Sequence, residues 1–480
     1  MSDSSMAGSQ PSPGGQGESS EGFWASLKEA LHGTERDLTG LPVRRAIFLL
    51  AVPMVLEMVM ESIFAVVDVF FVGRLGADAV ATVGLTESLL TIVYAGAAGL
   101  SIGATALVAR RVGEKDPERA ARTAVQAIGL GVLVAVPLGL GGLLLARPLM
   151  SLMGASPWVL EHGIGYTQVM LGGVGSVVLL FLINAIFRGA GDAAIAMRVL
   201  WLANAINIVL APLLIFGVGP FPELGVMGAA VATTTCRGCG VVYQLYLLTR
   251  GRGRLRIRRE HVRLEPGTML AMLRLSGAGT LQSLVSTTSW VVLSRIVATF
   301  GSTAVAGYTI AMRIVLFALL PSWGLASAAA TLVGQSLGAR QPERGERAVW
   351  TAGHINAIFL GTVGVLFFLF ATPLVGTFTD EPVVVDHAAH ALRIISVSFL
   401  FYAYGMVLTQ SFNGAGDTTT PTLINIFCAW VLEMPLAWLL SGPLGMGPSG
   451  VFLSLSVSFS VLTLISGVLF RRGGWKLRQV

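Results

Sequence analysis

The chain has 480 residues, 54% of them hydrophobic and only 12% charged, with a mean hydropathy of +0.75. A soluble domain carries about 25% charged residues, so the composition excludes a soluble fold and defines an all-α polytopic membrane protein. The net charge of +6 does not signal a nucleic-acid partner, because the basic residues cluster between apolar runs, as in cytoplasmic loops.

Residues 1–40 form a tail distinct from the rest. Positions 1–21 are rich in Ser, Gly, Gln and Pro, a composition that favours disorder, and no basic-then-apolar leader opens the chain. Residues 22–32 (EGFWASLKEAL) either rest on the membrane as a short amphipathic helix through Phe23, Trp24, Leu27 and Leu31, or simply lead into the first span. Apolar runs of the length a helix needs to cross a bilayer then recur twelve times. They fall roughly at 44–72, 79–109, 121–147, 158–187, 194–217, 226–249, 268–300, 304–337, 347–371, 387–413, 420–441 and 448–470.

Basic residues fix the expected orientation. Arg44 and Arg45 precede span 1, Arg110 to Arg122 separate spans 2 and 3, and RGRGRLRIRREHVRLEPG joins spans 6 and 7. Arg340, Arg344 and Arg347 lie between spans 8 and 9, and the chain ends in RRGGWKLRQV. The opposite loops lack such clusters, so both termini are expected in the cytoplasm of a plasma (inner) membrane protein. The expected units are an N-lobe at 41–249, a basic linker at 250–267, a C-lobe at 268–470 and a short tail at 471–480. Cys236 and Cys239 form a C-x-x-C with no second ligand pair, and they read as small packing residues, not as a metal or redox centre.

The two halves repeat at an offset of 225 residues (Gly189 to Gly414). RLGADAVATVGL matches TFGSTAVAGYTI, Pro117-Glu118-Arg119 falls on Pro342-Glu343-Arg344, and FRGAGD falls on FNGAGD. An even number of spans returns the chain to the same side, so the repeats are parallel six-helix lobes. A binding cavity is expected between them near the midplane.

Subtracting one half from the other isolates what the scaffold does not need. Asp68 corresponds to Leu293, and Glu61 to Ser286. On a helix Glu57, Glu61 and Asp68 lie within roughly 40° of one another and form a stripe about 16 Å long. Such a stripe must face the bundle interior or a wet cavity. A carboxylate held there can trade a proton or a cation, which is the chemistry of a coupling site; the alternative is structural pairing with an Arg such as Arg313, or hydrogen bonding in a permanently protonated form. Asn207 and Thr233 on spans 5 and 6, Glu87 and Tyr94 on span 2, and Gln168 and Asn184 on span 4 add polar groups that bind ligand or bridge helices. Met58, Met60 and Phe64 beside the stripe line an adaptable pocket or pack the core. Glu433, deep in span 11, either binds a cationic substrate or caps the helix break at Pro435.

At these residues the sequence resembles the multidrug and toxic compound extrusion (MATE) family over about 37–470. The resemblance is carried by RDLTGLPVRRAIFLLAVP, VDVFFVGRLGADAVATVGL, FRGAGD with FNGAGD, ANAINIVLAP and GVMGAAVAT. It implies two pseudo-symmetric six-helix lobes and an antiporter exporting amphiphilic organic cations in exchange for H⁺ or Na⁺. No enzymatic activity, cofactor or bound metal is implied beyond that coupling ion. The family's N-lobe cation site carries over to Asp68, Asn207 and Thr233, which are the residues that would hold Na⁺. Ala211 stands where many members have a second Asp, and Glu61 where an amide is usual, so Glu61 is expected to replace part of the missing charge. The acids of the family's Na⁺-coupled C-lobe site have no counterpart on span 7 or 10, which leaves coupling to the N-lobe through Asp68 with Glu61. The expected substrate contacts are Glu57, Glu61, Met58, Phe64, Tyr94, Asn184 and Glu433. The expected partners are small organic cations and the lipid bilayer, with the protein acting as a monomer. A lipid-linked precursor flippase of the same superfamily is the alternative, and it would require a cavity dominated by Arg or Lys.

Overall fold

The computed structural model describes residues 20–33, 37–250 and 253–478. The stretch read as disordered, apart from residues 20 and 21, and the side chain of Phe23 lie outside the described residues. Every regular element among the described residues is helical, as expected where lipid cannot satisfy backbone polar groups and each span must close its own hydrogen bonds. A short helix α1 (Ser20–His32) leads into α2 (Val43–Gly73), α3 (Ala77–Gly113) and α4 (Pro117–Leu152). Span 4 begins as a π-turn at Val159–Gly163 and continues as α5 (Ile164–Gly172) and α6 (Val174–Ala190); α7 (Ala193–Phe216) and α8 (Val226–Arg250) complete the first half. The second half runs through α9 (Pro266–Ala298), α10 (Ser302–Gly338), α11 (Pro342–Gly376), α12 (Pro382–Val397) and α13 (Phe399–Gly414). It ends with α14 (Thr419–Ile426), a π-helical stretch Phe427–Glu433, α15 (Met434–Ser441) and α16 (Pro448–Arg471).

These elements make twelve membrane-crossing segments in two lobes. Nine are long and apolar enough to qualify on length and hydropathy among the described residues, and the α12–α13 pair, bent by 59°, adds a tenth. The other two, α8 and α9, are 25 and 33 residues long. Their lower hydropathy reflects groups such as Arg237, Gln244, Ser276 and Gln282, all buried inside the protein. Spans 4 and 10, read as single runs, are broken, and at twin positions: Gly173 ends α5 and Ser398 ends α12. Lipid-facing leucines also come in pairs across the repeat. Leu144 on α4 and its twin Leu369 on α11 are both exposed, because each of these helices covers the flank of its lobe.

The duplication is visible in the backbone itself. Lys115 and Arg340 are non-glycine residues in left-handed conformation, with φ of 59° and 57°, each just past the end of the second helix of its lobe. The first helix of each lobe crosses to pack on the second helix of the other, α2 on α10 and α9 on α3. Close approach there is made possible by missing side chains. A Cβ on Gly113 would lie 2.0 Å from the Gln335 carbonyl oxygen, and one on its twin Gly338 would lie 2.1 Å from the Arg110 carbonyl oxygen. The lobes therefore meet backbone to backbone at the end that carries the basic loops.

A strap at residues 37–41 crosses this same end. Lys115 of the first half bonds Asp37 at 3.0 Å, while Arg344 of the second half donates to the carbonyls of Leu38 and Leu41. Partial burial pushes the Asp37 carboxyl up, but hydrogen bonds from Thr39 and the Lys115 ammonium prevail and hold it below the usual carboxylate range. The linker between the lobes is clipped down as well. Arg258 donates its backbone N–H to His261 Nδ1, which leaves the His261 Nε2–H to donate to Glu118 on α4.

Candidate functional site

The acidic stripe of α2 faces the interior of the first lobe, and it meets two arginines, the partly buried Arg188 and the buried Arg237. Glu57 is 2% exposed, and its Oε1 accepts from Arg188 Nη1 at 2.8 Å and from Asn184 Nδ2 at 3.1 Å. The Asn184 carbonyl in turn accepts from Gln244 Nε2 at 2.6 Å. One chain of bonds thus ties α2, α6 and α8 together. Glu57 and Asn184, both expected to contact substrate, are bonded to the protein itself, and the arginine that meets Glu57 is Arg188, where Arg313 was the example expected. Taking two charges out of water is costly, and only close geometry with further hydrogen bonds offsets it.

Arg237 on α8 forms the second centre. Its Nη1 donates to the Tyr94 hydroxyl at 3.2 Å, and its Nη2 lies 3.8 Å from Glu61 Oε1. Its guanidinium also sits 5.5 Å above the Phe64 ring, a cation–π placement. Tyr94, Glu61 and Phe64 are therefore brought together, around a cation that belongs to the protein. Met58 lies partly buried on α2. Asp68 is different from its two neighbours on the stripe. No hydrogen bond or direct ion pair reaches it among the described residues, and the charge acting on it electrostatically is again Arg237. Glu87 on α3 lies in the same field.

Of the other residues expected at the coupling site, two bond to each other. Asn207 Nδ2 donates to Thr233 Oγ1 at 3.1 Å across α7 and α8, but no hydrogen bond joins that pair to Asp68. Ala211 is 1% exposed and packed in the core. Cys236 is buried and donates to the Thr233 carbonyl, whereas Cys239 is exposed, which fits packing residues. In the second lobe Leu293, the twin of Asp68, is a core residue at 1% exposure. That lobe carries instead a cavity of about 600 Å³ lined by Glu433, Arg313, Tyr308, Tyr402 and Met406. Glu433 is 3% exposed there. A smaller apolar groove of about 400 Å³ lies between α2 and α10, lined by Val59, Ile63, Val67, Phe317 and Pro321.

Arg188 and Arg237 are the residues that sequence reasoning missed. Arg188 was absorbed into the FRGAGD scaffold motif, and Arg237 lies between the two cysteines of CRGC. An arginine inside an apolar span is itself a signal for a buried partner or a function. Applying the repeat subtraction to cations as well as acids exposes the first, since Arg188 falls on Asn413.

Two lobes of six spans, crossed at their first helices, with unequal polar interiors, define a secondary transporter built from parallel repeats. The chain belongs to the MatE family, whose model matches residues 53–213 and 279–439. It is 26% identical to a probable multidrug resistance protein NorM of Thermotoga maritima, over 91% of this chain and 94% of that one. It is equally 26% identical to a probable multidrug resistance protein YoeA of Bacillus subtilis, over 91% of this chain and 95% of that one. Among solved structures, the outward-facing conformation of a multidrug resistance MATE family transporter of the MOP superfamily superposes with a TM-score of 0.86 at 27% identity. That match covers 92% of this chain and 98% of the other. The protein is thus a multi-pass membrane transporter of the multidrug-efflux type.

Proposed function

We propose that the protein is a secondary antiporter that exports amphiphilic organic cations across the plasma (inner) membrane in exchange for H⁺ or Na⁺, coupled through Asp68. The observation that carries this reading is the contrast along the α2 stripe: Glu57 and Glu61 have arginine partners, whereas among the described residues no ion pair or hydrogen bond reaches Asp68, which feels Arg237 only through space. A carboxylate without a fixed counter-charge inside a lobe must take up a proton or a cation when its surroundings close, and must release it when they open. Arg237, with Asp68, Glu61 and Glu87 in its field, is suited to sense that exchange and to pass it to α2, α3 and α8 together. Glu61 is engaged by Arg237, which supports a role in tuning the site over direct replacement of the acid missing at Ala211. Asn207 and Thr233 would complete an oxygen-rich Na⁺ shell with Asp68 if the coupling ion is Na⁺.

Substrate would enter between the lobes past the α2–α10 groove, beside Met58 and Phe64. The basic loops support a cytoplasmic position for both termini, and the sealed backbone contact at that end supports a monomer that rocks open from the opposite side. The flippase alternative requires a cavity dominated by Arg or Lys; Arg188 and Arg237 are engaged by acids, and the second-lobe cavity sets Glu433 against its one arginine, Arg313. The test is efflux of a fluorescent cation from proteoliposomes under ΔpH alone and under ΔNa⁺ alone. Asp68→Asn should abolish gradient-driven efflux under whichever gradient drives the wild type. Undiminished efflux by this variant would refute the mechanism.

A further inference from the structure

The two lobes can be put in register inside the membrane by their tightest contacts. A Cβ on Gly228 of α8 would press on the backbone of Leu214 and Ile215, and one on Gly450 of α16 on that of Leu440 and Ser441. These contacts make Gly228 equivalent to Gly450, and Leu214 equivalent to Leu440. Asn207 lies seven residues before Leu214, and Glu433 lies seven before Leu440. The loop motifs upstream are offset by 225 residues (Gly189 to Gly414) and the Leu214–Leu440 pair by 226. The extra residue is absorbed in the π-helical stretch Phe427–Glu433, the usual way a helix accommodates an insertion and re-aims a side chain. Glu433 therefore occupies the position of Asn207.

Its surroundings have been exchanged as well. Counting from Gly228 and Gly450, Thr233, which receives the Asn207 hydrogen bond, becomes Leu455, and Arg237 becomes Phe459. Ser458 reaches the Glu433 carboxyl, whose Oε1 is left buried without a hydrogen-bond partner among the described residues. Phe459 stacks on Tyr402 with ring centroids 3.8 Å apart, and both line the 600 Å³ cavity with Glu433 and Tyr308. The first lobe contains its own cation, held between acids and an aromatic ring. The second has Ser286 and Leu293 where the first has Glu61 and Asp68, carries its carboxylate at the Asn207 position instead, and surrounds it with aromatic faces, with Arg313 exposed at the rim.

We propose that this second-lobe cavity is a binding site for an aromatic organic monocation, whose charged nitrogen sits beside Glu433 and whose rings pack against Tyr308, Tyr402 and Phe459. The cavity volume suits a drug-sized ligand, and aromatic rings beside a carboxylate favour a delocalised or quaternary cation. Arg313, exposed at the rim, is the other charged group of the lining and restricts the ligand to a single positive charge. The inference rests on the reading that the protein exports organic cations, and it assigns a substrate subsite separate from the coupling carboxylate.

The experiment is equilibrium binding of rhodamine 6G to the purified full chain in lipid nanodiscs, without any gradient, followed by fluorescence anisotropy. Fluorescein, an anionic xanthene of similar size, serves as the comparison. Glu433→Gln should weaken rhodamine binding by about tenfold or more, as expected when a buried charge loses its ionic partner, with fluorescein unaffected. Arg313→Gln should tighten it. Ser286→Trp, which fills the cavity from α9 and leaves the carboxylate intact, should abolish saturable binding even if Glu433→Gln fails to fold. Unchanged affinity in Glu433→Gln or in Ser286→Trp would overturn the site, as would a wild type that binds fluorescein equally well. Because no gradient is applied, these outcomes are independent of the Asp68 transport test: the site can fall while the antiporter reading stands.

Discussion

Removing the Arg188 guanidinium should be among the most destabilising single changes in the first lobe. Glu57 is 2% exposed, one of its oxygens already lacks a partner, and the other accepts from Arg188 and Asn184. In Arg188→Ala the carboxylate would stay buried with one amide to hold it, and breaking a buried pair from one side costs about 3–5 kcal/mol. That corresponds to roughly two to three and a half decades in the folded-to-unfolded ratio. The second lobe shows how to remove the charges without that loss, since the twin positions hold the buried, uncharged Gln282 and Asn413. The double variant Glu57→Gln/Arg188→Asn should therefore recover most of the stability lost in Arg188→Asn alone, with a coupling energy of about 2 kcal/mol or more. The assay is a double-mutant cycle on unfolding in mixed micelles under increasing denaturing detergent. Additive losses, with the double variant weaker than either single one, would refute the view that Glu57 and Arg188 act as a sealed structural pair.

Gly113→Ala and Gly338→Ala should each wedge the lobes apart at the basic end, because the new Cβ would meet a carbonyl oxygen at 2.0 and 2.1 Å. Overpacking of this kind costs about 1–3 kcal/mol, and spin-label distances between residues 114 and 340 should lengthen; unchanged distances would count against a closed backbone seam. Arg237→Gln should cost less stability than Arg188→Ala, about 1–3 kcal/mol for the loss of charged hydrogen bonds, because Glu61 is partly exposed, and it should impair transport more than folding. For the strap, the Asp37 carboxyl is held below its ordinary value of 3.8, so its contribution is present above that pH and is lost as pH falls through the lowered value. Hydrogen exchange of residues 37–41 should accelerate in that acid range, and in Asp37→Asn it should be fast already at neutral pH.

The twelve spans, the duplication and the interior-facing stripe were legible because each is written in something local: run length, spacing of Gly and Pro, and the 3.6-residue period. The partners of the stripe were not, since Glu57 and Arg188 lie on α2 and α6, more than a hundred residues apart, and nothing in either helix alone reports the other. The same limit explains Glu433. A fixed offset of 225 pairs it with Ile208, an unremarkable position, and the equivalence to Asn207 emerges only when the glycine contacts reveal one residue absorbed by a π-turn. Hydrophobic periodicity is blind to a single inserted residue in a short span, yet that residue rotates the following side chains by about 100°. Here the rotation brings a carboxylate to the site where the first lobe keeps an amide. The functional asymmetry of the two lobes thus rests on two kinds of change to one ancestral pattern. In the first lobe Glu57 and Glu61 are met by arginines from within while Asp68 is not, and in the second a π-turn re-registers a helix so that Glu433 faces an aromatic-lined cavity.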